Sequence, residues 1–172
     1  MNPRLETLFA RRSVRRYTDQ PVAEEQVRDL LEAAMAAPSA CARDPWEFIV
    51  LRDGEQRAKV ASFLPNGPML AQAPLGFVVC GDLERAHAGE LSYLLQDCSA
   101  AIENLLLAAH SLGLGAVWLG VHPRQDRIDN LRGLFRLPAS VLPVACVAVG
   151  HPAERPAPRT RYAAARVHTD RW

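Results

Sequence analysis

Residues 92–120, SYLLQDCSAAIENLLLAAHSLGLGAVWLG, carry the longest periodic run in the chain. At 3.6 residues per turn, Leu94, Leu95, Cys98, Ala101, Ile102, Leu105, Leu106, Ala108, Ala109 and Leu112 cover most of a helix circumference. Gln96, Asp97, Ser99, Glu103, Asn104, His110 and Ser111 share the remaining arc, with Ala100 and Leu107 in its middle. A helix that is apolar nearly all round is buried nearly all round. The pattern predicts either a central core helix of a monomer or a helix whose mixed face a second subunit covers. A chain of 172 residues has limited means of enclosing such a helix from every side, which favours the second subunit. Gly113-Leu114-Gly115 closes the helix, and residues 116–120 continue as a short apolar strand.

The same patterning gives the other elements. Residues 3–11 predict a short helix with Leu5, Leu8 and Phe9 facing inward and Pro3 early in its first turn. Residues 23–37 predict a second helix. Glu24 and Glu25 suit its N-terminal dipole, Val27, Leu30, Leu31, Ala34 and Met35 form its buried stripe, and Pro38 stops it. A strand at 46–51 and a helix at 55–63 lead to the turn Pro65-Asn66-Gly67-Pro68. The run LGFVVC at 75–80 predicts a central strand covered on both faces. A helix at 124–135 carries Ile128, Leu131, Leu134 and Phe135, and a fourth strand spans 141–149. Alternating strands and helices predict an α/β or α+β domain over residues 1–150. Residues 151–172 differ. They hold three prolines, five arginines and too few apolar residues for a core, yet end in Val167, His168 and Trp172, which suit docking on another surface.

Composition narrows the chemistry. A net charge of +1 does not point to nucleic acid or an anionic membrane. No segment approaches the ~18 uninterrupted apolar residues of a membrane span, and the first residues lack the apolar core of a signal peptide. Cysteines at 41, 80, 98 and 146 have no CxxC spacing and suit free thiols in a reducing cytoplasm. The five histidines form no HxxxH or HExxH pair, and there is no GxSxG nucleophile turn and no P-loop. Gly113, Gly115 and Gly120 flank a strand that follows a helix, the reverse of the dinucleotide-binding order. With no metal site, nucleophile or obvious base, an organic cofactor is the expected carrier of chemistry. Arg11, Arg12, Ser13, Arg15 and Arg16 fall within six residues. They suit a phosphate held by charge-assisted hydrogen bonds, though the cluster alone favours, by a little, a solvated helix end. Pro38-Ser39-Ala40 permits close backbone approach to a flat ligand. Cys41, near Arg43, reads as a reactive thiol or as a small filler.

Taken in order, five stretches resemble the FMN-dependent nitroreductase family. They are RRSVRRY, APSACARDPWEFIVL, MLAQAPLGFVVCGD, QDCSAAIENLLLAAHSLGLGAVWLG, and the VGHP turn with the terminal RVHTDRW. The resemblance implies an α+β fold with an antiparallel-rich central sheet flanked by helices. It implies an intertwined homodimer whose C-terminal tail is swapped, so that residues 1–150 form the FMN-binding domain and 151–172 dock on the partner subunit. It implies a cytoplasmic, NADH- or NADPH-dependent FMN oxidoreductase of nitroreductase type. In it the flavin itself carries the chemistry and no side chain is assigned as catalytic. Arg11, Arg12, Ser13 and Arg15 would hold the FMN phosphate, with Arg171 of the tail as a further contact. Pro38, Ser39 and Ala40 of the partner would border the isoalloxazine ring, and Val117, Trp118, Leu119 and Gly120 would line its other side. Asn66 would lie near the ring.

The resemblance also implies ping-pong reduction of a small acceptor such as a nitroaromatic or quinone. A specialised flavin reaction on the same scaffold (dehalogenation, flavin destruction or heterocycle oxidation) is an alternative, as is a non-catalytic flavin-carrying redox protein. Neither nucleic acid nor membrane is an expected partner. Ala42, Asp44 and Pro68 depart from the family's frequent amide and lysine residues. An inward-facing Asp44 would repel an anionic reduced flavin.

Overall fold

The computed structural model describes residues 2–172. Its helices are α1 (Glu6–Ala10), α2 (Glu24–Met35), α3 (Gly54–Ser62), α4 (Met69–Gln72), α5 (Leu91–Ser111) and α6 (Gln125–Phe135). Its strands are β1 (Trp46–Leu51), β2 (Leu75–Asp82), β3 (Gly115–Gly120) and β4 (Val141–Gly150). They form one sheet in the order β1-β2-β4-β3, with every neighbouring pair antiparallel. The architecture is therefore α+β, with β2 and β4 central as their unbroken apolar runs require.

Helices cover both faces of the sheet, which is why antiparallel strands here lack the usual polar alternation. Leu75, Phe77 and Val79 of β2 and Val147 and Val149 of β4 pack into one core with Val27 and Leu30 of α2 and Leu94, Ile102 and Leu105 of α5. Val78, Cys80, Cys146 and Ala148 turn to the other core with Val60, Leu70, Ile128 and Leu131. The period of two in the strands assigns alternate residues to opposite cores. A register shift between Val79 and Cys80 places Val144 and Ala145 in the same core.

Three sequence expectations change. The helix at 3–11 is a 3-10 turn at Pro3–Leu5 followed by the five-residue α1, and Leu5 and Leu8 are exposed rather than inward-facing. Five residues give barely one turn of backbone bonding, so this segment depends on tertiary contacts such as the Arg11–Glu103 ion pair to α5. Met35 is also half-exposed: its turn of α2 meets α5 through Ala33, whose carbonyl accepts from Asn104, and buries Ala34, which leaves Met35 on the open side shared with Leu31 and Val50. The segment after the 65–68 turn forms α4, a single helical turn for which its four residues carry no periodic signal. In α5, the opening periodicity holds, with Leu94, Cys98, Ala101, Ile102, Leu105 and Ala109 fully enclosed. Ala100 and Leu107 are half-buried within the single chain.

A glycine joins β3 to the N-terminal segment. A Cβ on Gly115 would lie 2.6 Å from Cγ1 of Val14, and Val14 itself is buried. Gly115→Ala is expected to destabilise the fold by ~1–3 kcal/mol through overpacking. Adding Val14→Ala should recover part of that loss, as read by urea unfolding of the single and double variants.

The buried thiols set an alkaline limit. Burial pushes Cys80 and Cys98 up to about 12 from an ordinary value near 9 and raises Cys146 as well. Burial likewise raises Tyr17, whose hydroxyl donates to the Val14 carbonyl at 2.6 Å. Above pH 9 the unfolded chain releases thiol protons that the folded chain retains, so stability is complete below pH 9 and falls as pH rises toward 12. Urea midpoints should decline steadily from pH 9 to 11, and a flat profile would contradict it.

Candidate active site

The basic segment runs along the outer edge of β3. Val14 N–H donates to the Ala116 carbonyl at 3.0 Å, and Ser13 and Ala116 form a parallel bridge. Past it, Thr18 N–H donates to the His151 carbonyl at 2.9 Å, and Ala153 N–H donates to the Arg16 carbonyl at 2.9 Å. Residues 13–18 are thus held between the sheet edge and the start of the tail. Extended backbone turns successive side chains to opposite sides. With Val14 buried against Gly115, Ser13 and Arg15 face outward.

That outward side is a cavity of about 360 Å³ lined by Leu8, Arg11, Arg12, Ser13, Arg15, Arg159 and Arg161. It offers five guanidinium groups and a hydroxyl, and no carboxylate lines it. Arg11 is partly engaged, with its Nε 3.4 Å from Glu103. Arg12 donates to the Ala157 carbonyl, which ties the tail to the segment. The positive charges of Arg161 and Arg12 lower the proton affinity of Arg159. Like charges gathered in this way are relieved by a bound anion, and guanidinium forks match the oxygens of a phosphate.

A second hollow of about 180 Å³ adjoins it, lined by Arg15, Leu64, Asn66, Gly67, Val117, Trp118, Leu119, Gly120 and Arg127. Arg15 belongs to both. Gly67 lets the 64–67 turn approach β3, since a Cβ there would lie 2.8 Å from Leu64 Cβ and 3.3 Å from Leu119 Cδ1. Arg127 of α6 donates to the Gly120 carbonyl at 2.6 Å, fixing the end of the strand. β3 is an edge strand, so among the described residues its outer backbone has only the short Ser13 bridge as a strand neighbour. Cationic cavity and strand wall meet at Arg15, a shape suited to a planar ligand bearing a phosphate.

The expected residues fall into two groups. Arg11, Arg12, Ser13 and Arg15 come together in the cationic cavity, and Asn66 and Val117 to Gly120 in the second hollow. Pro38, Ser39 and Ala40 lie in neither, nor does Arg171, which is exposed near the end of the tail. Asp44 does not project freely: its Oδ1 accepts from the Ser39 hydroxyl at 2.5 Å and its N–H donates to the same oxygen at 3.0 Å. Cys41 is exposed, at a positive φ of 52°. Arg159, Arg161 and Arg127 are additions that the sequence reading lacked. The arginine-rich tail was the available signal for the first two; nothing in the α6 pattern distinguished Arg127 from a solvated helix residue. No metal-binding cluster occurs among the described residues, and none of their helices is long and apolar enough to cross a membrane.

Known proteins share this fold. The nitroreductase family model matches residues 8–64 and 61–151. A Methanothermobacter thermautotrophicus protein, provisionally named NADH dehydrogenase/NAD(P)H nitroreductase, is 44% identical over 170 residues, covering 98% of this chain and 87% of the relative. An FMN reductase [NAD(P)H] of Bacillus subtilis is 32% identical over 177 residues, covering 94% and 70%. The crystal structure of a provisionally named nitroreductase from Desulfovibrio desulfuricans, in complex with FMN, superposes with a TM-score of 0.86 at 35% identity. It covers 100% of this chain and 99% of the other. With the antiparallel sheet, the arginine-lined cavity and the β3 wall in place along the matched residues, the chain belongs to the nitroreductase family.

Proposed function

We propose that this chain is an FMN-dependent oxidoreductase that uses NADH or NADPH to reduce a small acceptor, such as a nitroaromatic or quinone, in a ping-pong cycle. The observation that carries this reading is Arg15, common to the cationic cavity and to the hollow against β3. The donor set fits FMN: guanidinium groups and the Ser13 hydroxyl suit its phosphate, and the β3 wall suits its ring. Bound FMN supplies two-electron chemistry, taking a hydride from the nicotinamide and giving it to the acceptor. The chain's own work is to bind, orient and exclude. Arg12, Ser13 and Arg15 grip the phosphate, with Arg11, Arg159 and Arg161 adding positive charge. Val117, Trp118, Leu119 and Gly120 present one side of the ring site, with Asn66 at its border.

The active form on this reading is a homodimer. Leu5, Leu8, Tyr162, Val167 and Trp172 are exposed apolar side chains on the two chain ends, and such a set suits a partner surface. Of residues 151–172, those up to Arg161 pack on their own chain, so the docking on the partner falls to the tail from Tyr162 onward, where Arg171 joins the partner's phosphate site. Pro38, Ser39 and Ala40, outside both cavities of their own chain, border the partner's ring. The four cysteines are free and three are buried, which suits the reducing cytoplasm.

The purified protein should be yellow or turn yellow with FMN, bleach with NADH or NADPH, and recover its colour on adding a quinone. A chain that stays colourless with FMN rejects the reading, and slow reduction without acceptor dependence favours a flavin carrier. A charge-assisted hydrogen bond contributes ~1.5–3 kcal/mol, so Arg12→Ala should weaken FMN binding roughly 10- to 100-fold by fluorescence titration. Site sharing has its own test. Chains carrying Arg12→Ala with Ser13→Ala, assembled with chains carrying Ser39→Trp, rebuild one intact site per mixed dimer. Turnover should return to about half of wild type from two inactive parents. No recovery in mixed dimers would show that each site belongs to one chain.

A further inference from the structure

Asp97 is the one buried charged side chain among the described residues, with 5% of its surface exposed. It lies on α5 beside Leu94, Cys98 and Ala101, none of which is exposed. Packing alone asks for an apolar residue there, because a carboxylate loses its hydration on burial and regains little from few partners. Its Oδ1 accepts one hydrogen bond, from Ala40 N–H at 2.9 Å. Its Oδ2 is buried with no partner among the described residues.

The bond reaches a segment that needs holding. Cys41, Ala42 and Asp44 have φ of 52°, 50° and 47°, a left-handed conformation that L side chains resist. The hydrogen bonds within residues 38–44 are local: Ala42 N–H to the Ser39 carbonyl, Arg43 N–H to the Ala40 carbonyl, and the Ser39–Asp44 pair. They shape the loop without attaching it to the fold. Among the described residues, Asp97 to Ala40 is the one hydrogen bond that leaves this segment. It ties the loop to a 21-residue helix packed against the sheet.

We infer that Asp97 is a positioning residue, whose carboxylate inside α5 fixes the Pro38-Ser39-Ala40 segment in the place from which it borders the flavin ring. This rests on the FMN function proposed above. The helix contributes rigidity and the buried carboxylate contributes one defined acceptor. The backbone N–H of Ala40 translates that fixed point into the position of Ser39. A strained loop without this fastening relaxes toward right-handed or extended backbone and carries Ser39 with it.

The test uses the full-length, FMN-loaded protein and three variants. Asp97→Asn keeps an oxygen acceptor, Asp97→Ala removes it, and Ala40→Pro removes the donor while leaving α5 intact. Proline is compatible there because Ser39 is extended, at φ −133° and ψ 157°. Asp97→Ala and Ala40→Pro should each lower kcat by roughly 10- to 100-fold at full FMN occupancy and alter the visible circular dichroism of the flavin. Asp97→Asn should stay near wild type in both. The double variant Asp97→Ala/Ala40→Pro should be no worse than the poorer single, because both remove one bond. Should Asp97→Ala fail to fold, Ala40→Pro against Asp97→Asn decides. Variants that lose only thermal stability, with kcat, KM and flavin dichroism unchanged, overturn the proposal, as does full additivity in the double variant. A wild-type chain that takes up no FMN overturns the flavin reading and this one with it, whereas an FMN-loaded wild type with silent variants overturns this one alone.

Discussion

The candidate site depends on the contact between Val14 and the start of β3. One backbone hydrogen bond to Ala116 and one side chain seated over Gly115 hold the N-terminal segment against the sheet edge. Because Val14 is committed inward, Ser13 and Arg15 are committed outward. The segment needs no helix of its own to achieve this, and α1 is too short to supply much order. Extended backbone on an edge strand is a stiff mount that leaves neighbouring side chains free to point at a ligand. Arg15 stands where the mount meets the β3 wall, so the charged and flat parts of the cavity share a single fixed reference.

Much of this was legible before any coordinates. The apolar period of residues 94–109 identified α5, and the unbroken runs at 75–80 and 141–149 identified the two central strands. These signals are strong because β2 and β4 are covered on both faces, which leaves no polar position in their runs, and because most of the circumference of α5 packs inward. The segment 3–11 misled because Leu5, Leu8 and Phe9 are spaced for a helix face, while in the folded chain Leu5 and Leu8 stay exposed and Phe9 is half-buried. Periodicity reports that a face is to be buried; it does not report by what. Met35 follows the same logic at the end of α2.

The site was legible where it is local in sequence. Arg11, Arg12, Ser13 and Arg15 stood out by crowding, open to a phosphate or to a solvated helix end, whereas Val117 to Gly120 came only from the family resemblance. Arg159, Arg161 and Arg127 could not be read, because their place is set by where the tail and α6 travel in space. Asp97 was read as one of seven polar residues on a mixed helix face. Its burial comes from the loop folded over it, and that loop owes its path to three left-handed residues no pattern foretells.

The cationic cavity is built from both ends of the polypeptide, with Arg11, Arg12 and Arg15 contributed by residues near the start and Arg159 and Arg161 by residues near the finish. Those charges repel one another until an anion sits among them. On the proposed reading a phosphate there would do more than anchor its own molecule: it would add a counter-ion clasp to the Arg12–Ala157 and Arg159–Phe9 hydrogen bonds that join the two chain ends. Loading of the site and fastening of the chain ends would then be coupled, each favouring the other.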